Sequence, residues 1–185
     1  MTNRWKFLIK GFKSNSGNTK WKVGEWSKPI KNLELCESGY HCSKEIYQAF
    51  SYVQGEILAK VECKGKHQSS KDKEVWETMR ITKAYKWQKK DSVALSIYAA
   101  ELCLDNFEKE YPEDKRPREA IEAAKNWLKN PTQKNKSAAR SAWSAARSAA
   151  WSAAESAAWS AARSAVIKKI SKWMDKRLLV LEEIK

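Results

Sequence analysis

Apolar and polar positions alternate in several short runs over the first part of the chain. Apolar residues occupy every second position of residues 57–63, which is typical of a half-buried strand. Residues 7–9 are a short apolar run and residues 21–23 a short alternating run, with turn-forming residues between them, and residues 75–85 are a further strand candidate after the polar stretch 64–73. The spacing therefore predicts short strands joined by turns.

One short helix is predicted between these strands. Ser43 can cap its start, and the apolar residues that follow lie at helical spacing, at Ile46, Ala49, Phe50 and Val53.

The spacing of apolar residues changes to a helical period at Asp91. Leu95 and Leu102 belong to the apolar side of a first helix. A second helix is expected to begin near Pro117, since proline suits the first turn of a helix, and to end at Asn130.

A four-residue unit, Ser-Ala-Ala-X, fills residues 137–166. Alanine favours helix and no glycine or proline interrupts the run, so we expect one continuous helix. Trp143, Trp151 and Trp159 fan across about 160° of such a helix. The repeat either only packs in a bundle or presents its tryptophans and arginines as a binding surface. Tryptophans on several sides also favour self-association, most simply as a dimer.

Together these patterns predict an α+β protein. Residues 1–90 should form a small mixed α+β domain, and residues 91–185 an all-helical bundle that contains the long Ala-rich helix.

The net charge of +14 indicates an anionic partner. Residues 1–90 carry 19 Lys and Arg against 9 acidic residues, so most of the excess lies there. Nucleic acid, free nucleotides and acidic protein surfaces are the candidates. The charges within the Ala repeat disfavour a membrane span, and no apolar signal segment is evident, so we expect a cytoplasmic protein.

The cysteines and histidines suggest metal or thiol chemistry only weakly. Cys36, His41 and Cys42 lie within seven residues, and Cys63 and His67 form a second pair, but neither spacing is that of a zinc knuckle. Adjacent residues rarely point at each other, which disfavours a Cys-His nucleophile pair. We expect free thiols, no metal, no cofactor and no catalytic residues.

The N-terminal part resembles a family of uncharacterised phage proteins. Their shared mark is a Cys-x-x-Gly-aromatic-His turn before a helix, here residues 36–41. That family usually has one residue between the histidine and the next cysteine, whereas His41 and Cys42 are adjacent here. The order of turn, helix and strand is also similar to ADP-ribosyltransferase-like folds, which implies a catalytic glutamate, with Glu62 and Glu77 as formal candidates.

A second motif lies between the two predicted helices. Residues 112–121 read Pro-x-Asp-x-Arg-Pro-Arg-x-Ala-Ile, and an Ala-rich helix follows. The stretch from Val93 to Ala165 is similar to a helical immunity-protein family from bacterial polymorphic toxin systems. This resemblance implies binding and neutralisation of a partner, with no turnover.

Two arginines of this motif can form an anion clamp. Arg116 and Arg118 lie beside a helix N-terminus, where two guanidinium forks suit phosphate or carboxylate. Alternatively, Asp114 and one arginine pair with each other and with Glu101 or Glu108 to hold the helix junction.

A pocket for an anionic ligand also needs a flat apolar wall. We predict a cleft between the two domains, in which a ring of the ligand stacks on aromatic side chains. The predicted ligand-binding residues are Arg116, Arg118, Trp127, Arg140, Trp143, Tyr40 and His41.

Three functions are compatible with the sequence. The first is a phage-encoded binding protein that neutralises a bacterial defence or toxin component, either by sequestering a nucleotide-derived signal or by binding a host defence protein. The second is a nucleic-acid-binding protein, and the third an ADP-ribosyltransferase-like enzyme. The first unites both resemblances with the charge.

Overall fold

The computed structural model of the protein describes residues 3–16, 19–137 and 159–184, with side chains from residue 165 onward in the last range. The strands are β1 (Arg4–Leu8), β2 (Tyr40–Cys42), β3 (Ile57–Ser69), β4 (Glu74–Lys86) and β5 (Glu183–Ile184). The helices are α1 (Ile46–Tyr52), α2 (Lys89–Glu110), α3 (Arg116–Lys129) and α4 (Trp159–Leu178), and residues 133–137 are also helical. This arrangement confirms the α+β class.

The chain divides into two compact units. The first contains the chain up to Gln88 together with the residues from Met174 onward, and the second runs from Lys89 to Trp173. We call them the sheet unit and the helical unit.

The sheet unit is built around the long β3–β4 hairpin. Its antiparallel sheet has the order β1-β3-β4-β2, and β5 also pairs with β4. Register shifts after Lys60 and after Lys64 bend the hairpin. β3 continues to Ser69, beyond the predicted loop that starts at Lys64. Residues 64–69 are exposed, so this part of the strand lacks the alternation of apolar and polar residues by which a half-buried strand is recognised.

One edge of β4 is covered by three successive segments. β2 pairs with its first residues and β5 with residues 84–85. Between them, residues 24–30 run along the edge without forming a regular strand. Backbone N–H groups donate from Gly24 to Ile81 (2.8 Å), from Ser27 to Met79 (2.9 Å) and from Ile30 to Glu77 (3.0 Å). The predicted strand 21–23 is therefore wrong, because the chain turns at Gly24 with a positive φ of 85°.

The sheet has an apolar core on one face and an aromatic cluster on the other. Leu8, Trp21, Ile57, Val61 and Ile81 are among the buried residues of the core. The aromatic cluster consists of Phe7, Phe50 and Trp87, with ring centroids 5.4 to 5.7 Å apart.

Helix α1 starts later than the sequence predicts. Ser43 exchanges two backbone hydrogen bonds with Trp5, at 2.8 and 2.9 Å, and is 2% exposed. It therefore extends the sheet and does not cap the helix. The cap is formed by Glu45, whose N–H donates to the side chain of Gln48 at 3.2 Å.

The end of the described chain corrects the expectation that residues 91–185 are all helical. Glu183 pairs with Tyr85 and Ile184 with Ala84, so the chain returns to the sheet after α4. The sequence does not indicate β5, because a strand of two residues is too short to show alternating apolar and polar positions.

The helical unit contains the two helices that the spacing predicts. α3 has Pro117 in its first turn and ends at Lys129, with Asn130 as its C-cap. Ile97, Leu104 and Ile121 form the buried contact between α2 and α3. Most of the Ala repeat, residues 138–158, lies outside the described residues. One continuous helix over the repeat therefore stays a prediction. In the part of the chain that is described, no helix is long and apolar enough to cross a membrane.

Candidate functional site

The turn between α2 and α3 carries two arginines, each paired with a carboxylate. Arg116 Nε lies 2.8 Å from Asp114 Oδ1, and its Nη2 lies 2.5 Å from Oδ2. Arg118 makes the same two-pronged contact with Glu108, at 2.7 and 2.5 Å. The hydrogen bonds from the arginines hold the pKa of Asp114 and of Glu108 below their ordinary values.

This geometry is that of a helix junction. Arg118 ties the start of α3 to the end of α2, and the backbone N–H of Arg116 donates to Asp114 Oδ1 at 3.1 Å. Glu101, the other expected partner, pairs with Lys125 at 2.9 Å. The arginine side chains remain 53% exposed, so they are held in place while facing solvent.

The other predicted site residues of the helical region are only partly described. Trp127 is half-buried on α3, and Lys89 Nζ lies 5.8 Å from its ring centroid. Arg140 and Trp143 lie outside the described residues. Their placement near Arg116 and Arg118 therefore stays a prediction.

Tyr40 and His41 are neighbours on β2 and make different contacts. Tyr40 packs edge-on against Trp21, with centroids 5.3 Å apart, and its hydroxyl donates to the Lys28 carbonyl at 2.9 Å. His41 Nε2 accepts the backbone N–H of Cys36 at 2.9 Å. Burial lowers the pKa of His41, and nearby Lys6 and Lys73 lower it further, which favours the neutral imidazole at neutral pH. Both residues help to fix the loop before β2.

A cluster that the sequence did not reveal surrounds Cys36. Lys73 Nζ lies 2.6 Å from the Cys36 sulfur and 4.7 Å from the centroid of the Tyr52 ring. A hydrogen bond to Asp72, with smaller effects of burial and charge, raises the pKa of Tyr52 to about 12. These residues are far apart in sequence and meet because the β3–β4 hairpin returns beside the loop before β2. No residue spacing could have indicated the contact.

A second cluster combines an exposed tryptophan with two cations. Trp26 is 36% exposed, with Lys64 Nζ 4.1 Å and the Arg80 guanidinium carbon 4.9 Å from its ring. Arg80 also pairs with Glu62 at 2.6 Å. Beside it lies an open cavity of 380 Å³, lined by Ser27, Pro29, Lys64, Gly65, Glu77 and Thr78. The ring and cations can bind a flat anionic molecule.

A lysine and two thiols lie near one another in the sheet unit: Cys42 is buried, and Lys6 and Cys63 are half-buried. Lys6 Nζ donates to the His41 carbonyl at 2.9 Å, and burial lowers the pKa of Lys6. The sulfurs of Cys42 and Cys63 are 3.7 Å apart, and their contact, together with burial, raises the pKa of Cys42. Among the described residues, no three metal-binding side chains come together.

Glu74 is the most enclosed acid of the sheet unit. It is 3% exposed and accepts hydrogen bonds from Arg4 at 2.5 Å and from the Trp76 indole at 2.9 Å, with Lys44 at 3.6 Å. Burial alone would raise the pKa of Glu74, but the bonds from Arg4 and Trp76 outweigh it and lower the pKa. The network fixes β1, through Arg4, and the segment after β2, through Lys44, to the start of β4.

Comparison with known proteins divides the chain at nearly the same place as the fold. Residues 5–91 match a family described as "Domain of unknown function (DUF7666)". Residues 83–168 match a family described as "Imm-5 like putative immunity protein". The two halves resemble two different families. No curated protein and no solved structure matches the chain. The similarity of the C-terminal part to immunity proteins is thereby confirmed, and it fits a neutralising role without catalysis.

Proposed function

We propose that the protein is a non-enzymatic binding protein, encoded by a phage and acting in the cytoplasm of the bacterial host, that neutralises a component of a toxin or defence system. The similarity of residues 83–168 to immunity proteins carries this proposal. Immunity proteins of toxin systems, as the resemblance implies, act by binding. The net charge of +14 supports an anionic partner.

The recognition surface that we propose lies at the turn between α2 and α3. Arg116 and Arg118 are each held by one carboxylate but remain 53% exposed. Because pairing with the carboxylates already fixes the two guanidinium groups, the arginine side chains lose less conformational freedom when a ligand binds. An incoming phosphate can share or replace the contacts of Asp114 and Glu108. Trp127 supplies an aromatic surface on the same helix.

The ligand that we propose is a nucleotide-derived signal, and a host defence protein is the alternative partner. A nucleotide combines phosphates, which suit guanidinium forks, with a base that stacks on tryptophan. The remaining predicted contacts, from Arg140, Trp143, Tyr40 and His41, complete this proposal.

The proposal can be tested on protein purified from cells in which the defence system is active. Heating should release a small molecule that mass spectrometry identifies as an anionic nucleotide, in an amount close to one per chain or per dimer. Protein from cells without the defence system is the control and should release none. A preparation that releases nothing but co-purifies stoichiometrically with one host protein would replace the nucleotide with a protein partner.

Nucleic-acid binding is a second candidate, favoured by the cluster around Trp26. An exposed ring between Lys64 and Arg80 is the combination on which single-stranded bases stack. Under this alternative, affinity for an oligonucleotide falls steeply with salt, and Trp26→Ala weakens it about tenfold or more. Trp127→Ala should leave that affinity unchanged.

The contacts of the two candidate glutamates give no support to a transferase activity. Glu62 pairs with Arg80, and a carboxylate oxygen of Glu77 accepts the backbone N–H of Lys66 at 3.0 Å. Both carboxylates therefore have structural partners.

A further inference from the structure

The contact between Cys36 and Lys73 brings two nucleophiles together at the surface of the sheet unit. The Cys36 sulfur and Lys73 Nζ are 2.6 Å apart, although 37 positions separate the residues in sequence. This separation is shorter than the range of about 2.7–3.2 Å for an N–H···O bond, although sulfur is a larger atom than oxygen. Two single bonds that meet at a bridging oxygen span a similar distance.

The loop around Cys36 is held in a conformation that keeps this contact. Cys36 has a positive φ of 76°, which costs energy for a residue with a Cβ. The ring of His41 accepts its backbone N–H at 2.9 Å, and Gln68 of β3 donates from its side chain to the Leu33 carbonyl at 3.0 Å. The cysteine is therefore presented to Lys73 by contacts on both sides of the loop.

Lys73 is also restrained. Its ammonium group lies 4.7 Å from the centroid of the Tyr52 ring. The Lys73 backbone is held because the next residue, Glu74, begins β4. Cys36 is exposed, so small oxidants have access to the sulfur.

We propose that Cys36 and Lys73 form a covalent bridge through one oxygen atom when the protein is oxidised. The bridge joins the loop before β2 to the turn between β3 and β4, beside Tyr40 and His41. It is a modification site of the sheet unit and does not depend on the ligand of the helical unit.

The reaction balances with dioxygen as the oxidant. The lysine first loses its extra proton to water. One S–O bond and one O–N bond then form, while the S–H bond and one N–H bond break. The O–O bond of dioxygen breaks, and its second oxygen atom leaves as water with the hydrogens lost from sulfur and nitrogen. Sulfur and nitrogen each give up two electrons, and dioxygen accepts four.

Mass spectrometry of the intact full-length protein tests the proposal directly. Protein incubated in air-saturated buffer should gain the mass of one oxygen and lose that of two hydrogens, whereas protein kept without oxygen should not. Dithiothreitol should reverse the change. Peptide mapping should find the segments containing Cys36 and Lys73 joined. A disulfide between Cys42 and Cys63 is distinguishable, because it loses two hydrogens without gaining oxygen.

Two variants and one matched control complete the experiment. Cys36→Ser and Lys73→Arg should abolish the species, and Lys73→Arg keeps the positive charge that the fold contains there. Lys71→Arg, two positions away, should form it as the wild type does. The proposal is overturned if Lys73→Arg forms the species as well, or if Cys36 either stays a thiol or oxidises only to its sulfinic and sulfonic acids.

Discussion

The sheet unit contains a buried ion pair, whereas the two ion pairs at the turn between α2 and α3 of the helical unit are exposed. Glu74 is 3% exposed and accepts one hydrogen bond from Arg4, whereas Asp114 and Glu108 are 20% and 22% exposed and each makes a two-pronged contact with an arginine that is 53% exposed. Buried and exposed ion pairs contribute differently to the free energy of unfolding, because water competes for the charges of an exposed pair. We infer that the buried pair contributes more to the stability of the sheet unit than the exposed pairs contribute to that of the helical unit.

The largest expected effect concerns the aromatic cluster of the sheet unit. Phe7 is 1% exposed and packs against Phe50 and Trp87. Phe7→Ala should lower the free energy of unfolding by about 3–5 kcal/mol, because it leaves a cavity between two rings. Ile121→Ala in the smaller helical core should cost about 2 kcal/mol. Denaturant unfolding followed by circular dichroism measures both, and a larger loss for Ile121→Ala would break the comparison.

Substitutions of Glu74 and Glu108 test directly whether the buried ion pair stabilises the protein more than an exposed one. Glu74→Gln should cost about 3 kcal/mol, since Arg4 is left beside an uncharged partner in a closed site. Glu108→Gln, its counterpart on the surface, should leave the denaturant midpoint almost unchanged. Equal losses of stability from the two substitutions would show that exposure does not determine how much each ion pair contributes.

The acid dependence of stability sharpens the same comparison. Folding lowers the pKa of Glu74 below the value of an unfolded glutamate, about 4.3. Its contribution is therefore complete above that pH and is lost as the pH falls through the lower pKa of the folded state. Thermal unfolding of the wild type should lose stability over this acid range, and Glu74→Gln should reduce the loss. An unchanged slope in the variant would assign the acid sensitivity to other carboxylates.

A smaller effect is expected at Gly55, between α1 and β3. A Cβ at this position would collide with the carbonyl oxygen of Leu8 on β1. Gly55→Ala should cost about 1–3 kcal/mol, because the backbone must shift to admit the methyl group. The exposed neighbour substitution Gln54→Ala is the matched control and should change the melting temperature little. A fully stable Gly55→Ala protein would show that this approach of two backbone segments is adjustable.

The sequence predicted elements whose signal is local. Pro117 and Asn130 mark the limits of α3 because proline and a C-cap residue act within one turn. Features that depend on distant partners were missed. The sequence predicts a helix cap at Ser43 because the pairing of this residue with Trp5 is invisible in the sequence, and β5 is only two residues long.

The candidate site shows the same limit. The sequence predicts the pairing of Asp114 with Arg116 as one of two alternatives, since both residues lie in one turn. The contact of Cys36 with Lys73 could not be foreseen, because a long hairpin creates it. The predicted dimer concerns tryptophans of the Ala repeat outside the described side chains and stays a prediction, which light scattering can check against the chain mass of 21.3 kDa.

Calorimetric titration with a panel of cyclic and linear nucleotides tests the central claim most directly. The account predicts tight, stoichiometric binding of one of them, weakened roughly ten- to a hundredfold by Arg116→Ala and by Arg118→Ala. Lys129→Ala, on the same helix, should bind as the wild type does. Tight binding that neither arginine substitution weakens would contradict the site, and binding of duplex DNA with a steep salt dependence but of no nucleotide would contradict the function.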